Sequence, residues 1–233
     1  MKRSSFSVAS SDPPFAWFCD PGLEGPTPLH ITDEGRVFGH VALWGTCHIG
    51  IPGACVTPPR SASGYSYFHL GARRTAEGED VPVGSITMDC GHPSLRLSAE
   101  ATTAHYDHTG TGAADVALGE DSWGIWAAGA VRRSLSVVQL ETLRSAKLSG
   151  DWRTIAGRLE LVGLLAVNVP GFPVTGPRAR VASGEAVALV AAGRVPRSQL
   201  ILDRLAGVAV AERQKDLLLF RAKAPPLMDR LRR

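Results

Sequence analysis

The segment AADVALGEDSWGIWAAGAV, residues 113–131, predicts the centre of the fold. Ala113–Leu118 and Gly124–Val131 are apolar enough to form strands, and the Gly-Glu-Asp sequence between them is typical of a turn. Two consecutive strands joined by a short turn pair antiparallel. We therefore expect a hairpin here, with a mostly antiparallel sheet around it.

Strand-like segments also lie on both sides of the hairpin. They alternate apolar and polar residues over short lengths and are bounded by turn residues, as strands are. A Pro- and Gly-rich stretch, residues 51–64, predicts a long irregular loop between them. The strand-like segments are residues 30–44, with a turn at residues 33–35, and residues 65–70, 81–88 and 158–169.

Two helices are predicted among these strands. Pro93 is tolerated in a first helical turn and opens a helix over residues 94–105. Ser136 and Gln139 have the spacing of a capping box, and the helix that they start ends near Lys147. The segments therefore predict a mostly β domain with two or three helices, which is an α+β fold class.

The chain of 233 residues divides into three predicted segments. Residues 1–28 are irregular because of their prolines, residues 29–175 form the main domain, and residues 176–233 are a linker followed by a helical, basic tail. Residues 194–233 hold 10 Lys and Arg against 4 Asp and Glu, a net charge of +6, whereas the rest of the chain carries −3. This asymmetry suggests an arm that docks on a negatively charged partner.

The chain shows no signal for membranes or secretion. The longest apolar run, near residues 161–169, is shorter than the roughly 18 residues of a membrane helix. The start, MKRSSFSVASSDPP, lacks the apolar core of a secretory signal. We therefore expect a protein that stays in the cytoplasm.

The four cysteines are too few and too scattered for a disulfide-built fold, so we expect four free thiols. Cys47, His48, Cys55, Cys90 and His92 form an alternative, because thiolates and imidazoles suit zinc. No C-x₂-C pair is present among them. We therefore predict neither a metal nor another cofactor.

A candidate catalytic pair comes from Ser149 and His105. A serine hydroxyl needs an imidazole within hydrogen-bond reach to act as a nucleophile, and a third group must hold that imidazole. Gly150 leaves room for a substrate carbonyl, and its N–H is a candidate oxyanion donor. The alternative interpretation makes Ser149 a helix-terminal turn residue and His105 an exposed helix terminator.

The order of elements from His92 to Pro173 resembles the capsid maturation (prohead) proteases of tailed phages, relatives of herpesvirus assemblin. The resemblance comprises a histidine, a Gly-containing strand, an acidic turn, the GIWAAG strand, a helix leading into Leu-Ser-Gly, and an apolar strand ending at a proline. The separation of 44 residues between His105 and Ser149 also fits that family. The N-terminal segment WGTCHIGIPGACVTPPRS is similar to proteases of phages that infect actinobacteria.

The resemblance implies a serine endopeptidase with an assemblin-like α+β fold, a small, mostly antiparallel β-barrel or curled sheet flanked by helices. Ser149 is then the nucleophile and His105 the base, preferred over His108 because His108 lies inside the turn. The third member is Glu160, which is displaced from the family's usual glutamate position, or alternatively His92. Gly163 occupies that usual position here.

The resemblance further implies scaffolding and capsid proteins as substrates and partners, with the protease itself cleaved last, inside assembling proheads in the host cytoplasm. A homodimer is possible on the same ground. Nucleic acid is not an expected partner, because the basic tail contains a single aromatic residue, Phe220. The alternative function is a non-catalytic phage structural or scaffold-like protein that retains the protease fold.

Overall fold

The computed structural model describes residues 12–51 and 53–174. This part of the chain is an α+β fold with a curled, mostly antiparallel sheet and two helices, as the sequence predicted. Its elements are the 3₁₀ helix Phe15–Phe18 and then β1 His30–Ile31, β2 Arg36–Leu43, β3 Gly71–Arg74, β4 Asp80–Met88, α1 Ala99–Thr109, β5 Thr111–Glu120, β6 Gly124–Val131, α2 Val137–Ser145, β7 Lys147–Ile155 and β8 Arg158–Val167.

The strands form one sheet in the order β1-β2-β6-β5-β4-β8-β7, and β3 pairs with the first half of β4. Every pairing is antiparallel except that of β4 with β8, which joins Ile86 to Leu164 and Thr87 to Leu165 in parallel. The sheet curls into a half-barrel, so that β2 approaches β7. The enclosed side holds the main core.

The predicted hairpin is the best-packed part of the sheet. All eight residues of β6 are buried, and β5 pairs with β6 from Ala114 opposite Val131 to Glu120 opposite Ile125. A Cβ atom on Gly129 would lie 2.1 Å from the Asp115 carbonyl oxygen, so only glycine fits at this close approach. The small side chains of this hairpin therefore set how closely its strands pack.

The second helix begins as predicted and ends earlier. Ser136 accepts a hydrogen bond from the Gln139 N–H while the Gln139 side chain accepts one from the Ser136 N–H, which completes the capping box. The helix ends at Ser145, and β7 begins at Lys147, where a helix end and a turn were predicted. Ser149 consequently lies inside a strand.

Two other boundary predictions are wrong. The first helix begins at Ala99 rather than residue 94, because Ser98 caps it by accepting a hydrogen bond from the Ala101 N–H. Residues 65–70 form turns, since Tyr65 has a φ of 65° that a strand does not allow, and the strand starts only at Gly71. The irregular loop over residues 51–64 is as predicted for its described residues.

The prediction of four free thiols is also wrong. Cys47 and Cys55 form a disulfide with their Cα atoms 4.8 Å apart, whereas Cys19 and Cys90 are free. The two bonded cysteines are eight positions apart in the sequence, so the loop folds back on itself. Residues 1–11, part of the segment predicted to be irregular, and the predicted linker and basic tail of residues 176–233 lie outside the described residues.

A matched pair of substitutions in α2 tests the core assignment. Leu143 is fully buried and Val138 is 75 % exposed, one turn and a half apart on the same helix. We expect Leu143→Ala to lower the free energy of unfolding by about 2–5 kcal/mol because it leaves a cavity. Val138→Ala should change it by less than about 0.5 kcal/mol. Urea denaturation followed by circular dichroism measures both, and similar effects of the two substitutions would contradict the packing described.

Candidate active site

Three polar side chains lie in a row on one face of β7. Ser149, Asp151 and Arg153 occupy alternate positions, and successive side chains of a strand point to opposite faces, so these three share a face. They are buried, with 7 %, 5 % and 5 % of their surfaces exposed. Buried polar groups need hydrogen-bond partners, so donors and acceptors must lie around these three side chains.

His92 supplies the partner of the serine. It lies in the loop after β4, where Asp89 turns the chain with a φ of 62°. Its Nε2 atom is 3.0 Å from Ser149 Oγ, and its Nδ1 atom is 3.3 Å from Asp151 Oδ2. The imidazole therefore bridges the hydroxyl and the carboxylate, as in a Ser-His-Asp triad.

The Asp151 carboxylate is held from two further sides. Arg153 donates from Nε to Oδ1 at 2.6 Å and from a terminal nitrogen to Oδ2 at 2.9 Å, and the Tyr106 hydroxyl donates to Oδ2. Burial acts to raise the pKa of Asp151, but the hydrogen bonds from His92, Arg153 and Tyr106 outweigh it and hold the pKa below its ordinary value. Asp151 is therefore ionised at neutral pH.

Tyr106 reaches the Asp151 carboxylate from α1 by crossing β8 at Gly163, which has no side chain. A Cβ atom on Gly163 would lie 2.3 Å from the Tyr106 ring, so a glycine there makes room for it. Burial and then the hydrogen bond to Asp151 raise the pKa of Tyr106 far above its ordinary value. The phenol therefore remains a proton donor, and its oxygen is also 3.2 Å from His92 Nδ1.

The structure does not bring the predicted base, His105, to Ser149. His105 Nε2 lies 3.1 Å from the Gly91 carbonyl oxygen, and the residue is half-buried on α1. This contact supports the loop that carries His92, the residue after Gly91. His108, the other candidate, is exposed and is hydrogen-bonded to the Ala104 carbonyl. Only His92, predicted as an alternative third member, contacts the serine among the described histidines.

The structure also places Glu160 away from the histidines. Its carboxylate accepts hydrogen bonds from Ser61 Oγ at 2.7 Å, Ser63 Oγ at 2.8 Å and the Ala62 N–H at 3.1 Å. Burial acts to raise its pKa, and these hydrogen bonds lower it further than burial raises it. Glu160 therefore anchors the irregular loop to β8 as an ionised carboxylate, and Asp151 occupies the position for which Glu160 was predicted.

Gly150 lies in β7 opposite Leu164 of β8. A Cβ atom on it would lie 2.4 Å from the Trp152 ring and 2.6 Å from Leu161, so packing on the face away from Ser149 requires glycine. Its proposed part in an oxyanion site stays a prediction.

A second imidazole, His48, lies beside the site. Burial and then the nearby His92 lower the pKa of His48 below its ordinary value. Its ring packs edge-on against Phe172 with the centroids 5.0 Å apart, and its Nδ1 accepts a hydrogen bond from the Gly50 N–H at 3.1 Å. The disulfide between Cys47 and Cys55 removes both thiolates from the zinc set considered above, and the described residues contain no cluster of metal ligands.

Comparisons with known proteins identify no relative of this chain. No family model, no curated protein and no solved structure matches it. Among the helices of residues 12–51 and 53–174, none is long and apolar enough to cross a membrane.

Sequence reasoning missed Asp151, Arg153 and Tyr106. The available signal was the Ser-x-Asp-x-Arg spacing in SGDWR, which places three polar residues on one face if the segment is a strand. The sequence analysis places Ser149 directly after a helix, and side chains outside a strand do not alternate between two faces. Tyr106 carries no such signal, because α1 and β7 meet only in the folded chain.

The hydrogen bond from Tyr106 to Asp151 predicts a pH-dependent loss of stability in Tyr106→Phe. Removing a donor to a buried carboxylate should lower the free energy of unfolding by about 2 kcal/mol at pH 7. Because the hydrogen bond lowers the folded-state pKa of Asp151, this stabilisation is fully present above about pH 4 and declines as pH falls below it. Urea denaturation between pH 3 and pH 7 tests this, and a loss that does not vary with pH would contradict it.

Proposed function

We propose that this chain is a serine endopeptidase in which Ser149 is the nucleophile, His92 the general base and Asp151 the group that orients His92. The observation that carries the proposal is the continuous contact from Ser149 Oγ through both nitrogens of His92 to Asp151 Oδ2, at 3.0 Å and 3.3 Å. His92 thus replaces His105 as the base, and Asp151 replaces Glu160 as the third member.

The hydrogen bonds define the state of the imidazole. An ionised carboxylate only accepts hydrogen bonds, so His92 Nδ1 carries its proton toward Asp151 and leaves the Nε2 lone pair for the Ser149 hydroxyl. This tautomer is inferred from the contacts. It is the one that a general base requires, because Nε2 must receive the hydroxyl proton.

The reaction follows from this arrangement. Ser149 Oγ attacks the carbonyl carbon of the peptide bond while its proton moves to His92 Nε2. The resulting imidazolium is stabilised by Asp151 and then gives its proton to the leaving amine as the C–N bond breaks. A water molecule next gives a proton to His92 and attacks the acyl-enzyme, and Ser149 recovers its proton when the acid product leaves.

The order of elements that resembles capsid maturation proteases supports a polypeptide substrate. On that basis we propose that the substrates are phage scaffolding and capsid proteins and finally the protease itself, inside assembling proheads in the host cytoplasm. The same resemblance supports an assemblin-type barrel for the curled sheet and a homodimer. The net charge of +6 on residues 194–233 supports a docking role for that segment.

Ser149→Ala tests the nucleophile. We expect processing of co-expressed scaffolding and capsid proteins to fall roughly 10⁴-fold or more, because no other group takes over bond formation. The free energy of unfolding should change by less than about 1 kcal/mol. Ser145→Ala is the matched control, since Ser145 Oγ only donates to the Thr142 carbonyl at the end of α2.

A fluorophosphonate probe gives an independent measurement on the same variants. It should label the wild-type chain and Ser145→Ala, and it should not label Ser149→Ala. Normal processing by Ser149→Ala would contradict the assignment of Ser149 as the nucleophile. A folded wild-type chain that neither reacts with the probe nor cleaves capsid proteins would instead favour the non-catalytic structural role.

Paired histidine substitutions test the base. His92→Ala should lower kcat/KM roughly 10³-fold or more, because Ser149 loses its proton acceptor. His105→Ala should cost about fivefold or less, since the ring contributes one hydrogen bond to the Gly91 carbonyl, worth about 1 kcal/mol. Steady-state cleavage of a peptide substrate measures both, and the reverse ranking would return the role to His105.

A further inference from the structure

A groove of about 970 Å³ runs between α1 and the sheet. Val83, Ser85 and Thr87, at alternate positions of β4, line it, while Ile86 between them is fully buried in the core. These three side chains therefore lie on the face of the sheet opposite that of Ile86, and Phe68 of the main core also lines the groove. Tyr106, which holds Asp151, forms part of its wall.

The floor of the groove holds two arginines around one carboxylate. Arg73 donates to Asp115 Oδ2 at 3.3 Å, and Arg132 donates from Nε to Asp115 Oδ1 at 2.8 Å and from a terminal nitrogen to Ser85 Oγ at 2.6 Å. The Arg132 guanidinium lies against Gly112, where a Cβ atom would be 2.0 Å from it. Two cations and one anion leave an excess of one positive charge on this floor.

Acidic residues also border the groove, and their placement differs from that of the floor. Glu100 and Asp107 lie on α1 and are exposed to solvent, where water and salt screen their charge. Asp115 on the floor is only 7 % exposed. The side chains of Arg73 and Arg132 are 22 % and 38 % exposed, whereas that of Asp107 is 84 % exposed. A negatively charged group that enters the groove therefore meets less screened arginines at the bottom and more screened carboxylates at the edge.

The lining also contains apolar side chains, and the groove is larger than one charged group requires. Phe68, Ile155 and Val162 line the groove together with Leu70, whose surface is 65 % exposed. A volume of this size is at the upper end of binding pockets and holds several amino-acid residues. A peptide segment with an acidic side chain between apolar side chains fits this lining.

We propose that this groove binds an acidic side chain of a polypeptide, with its carboxylate on Arg73 and Arg132 and its apolar neighbours on Phe68, Ile155 and Val162. The assignment of that polypeptide as a substrate rests on the proposed function. Binding itself does not depend on cleavage, so the two proposals fail separately.

The experiment uses the full-length Ser149→Ala chain labelled with ¹⁵N. It is titrated with the peptide acetyl-Ala-Leu-Glu-Leu-Ala-amide and with the same peptide carrying Gln in place of Glu. We expect the Glu peptide to shift the backbone amide signals of Arg73, Ser85 and Gly112 and to bind about tenfold more tightly than the Gln peptide, as a charge-assisted hydrogen bond would give.

Neighbouring arginines of β3 supply the matched variants. Arg73→Gln should reduce the affinity for the Glu peptide about tenfold and remove the preference over Gln, while Arg132 still pairs with Asp115. Arg74→Gln should leave binding unchanged, because Arg74 pairs with Asp80 at 3.5 Å on the surface and does not line the groove.

Four results would overturn the proposal. They are equal affinity for the Glu and Gln peptides, signal shifts confined to other residues, equal shifts from sodium acetate at the same concentration, and shifts that follow protein rather than peptide concentration. The third would indicate a site for free anions, and the fourth a contact with a second copy of the chain. Cleavage of capsid proteins with no peptide binding in the groove would leave the proposed function intact.

Discussion

The arrangement of the site depends on one buried charge, the Asp151 carboxylate. A charge removed from water is strongly unfavourable unless hydrogen bonds and opposite charges replace the lost solvation. Here Arg153, Tyr106 and His92 provide them from a strand, a helix and a loop. Because these donors belong to different parts of the chain, satisfying this carboxylate also fixes β7, α1 and the His92 loop relative to one another.

Several other features follow from that requirement. Gly163 must be small so that Tyr106 can cross β8, and Ser98 caps the helix that carries Tyr106. His105 holds the Gly91 carbonyl and so steadies the approach to His92. These residues do not touch Ser149, yet each helps to keep an imidazole within hydrogen-bond distance of it.

Buried carboxylates organise the rest of the described chain in the same way. Glu160 accepts hydrogen bonds from Ser61 and Ser63 and so holds their irregular loop on β8. Asp115 accepts hydrogen bonds from Arg73 and Arg132. The half-barrel supplies the apolar core, while the carboxylates on its strands attach the loops. The floor of the groove that we propose for acidic peptides differs from the other sites because two arginines surround its single carboxylate.

Local patterns in the sequence determined the hairpin of residues 113–131, the capping box of Ser136 and Gln139, and the α+β class, because turns, caps and alternating strands depend on neighbouring residues. They also singled out Ser149. The partners of Ser149 were decided by the tertiary structure. Recognising β7 as a strand requires its pairing with β8, and the contact from His92 to Ser149 joins residues 57 positions apart. The sequence offered three candidate histidines, and only the sheet, in which β8 alone separates the end of β4 from β7, selects His92.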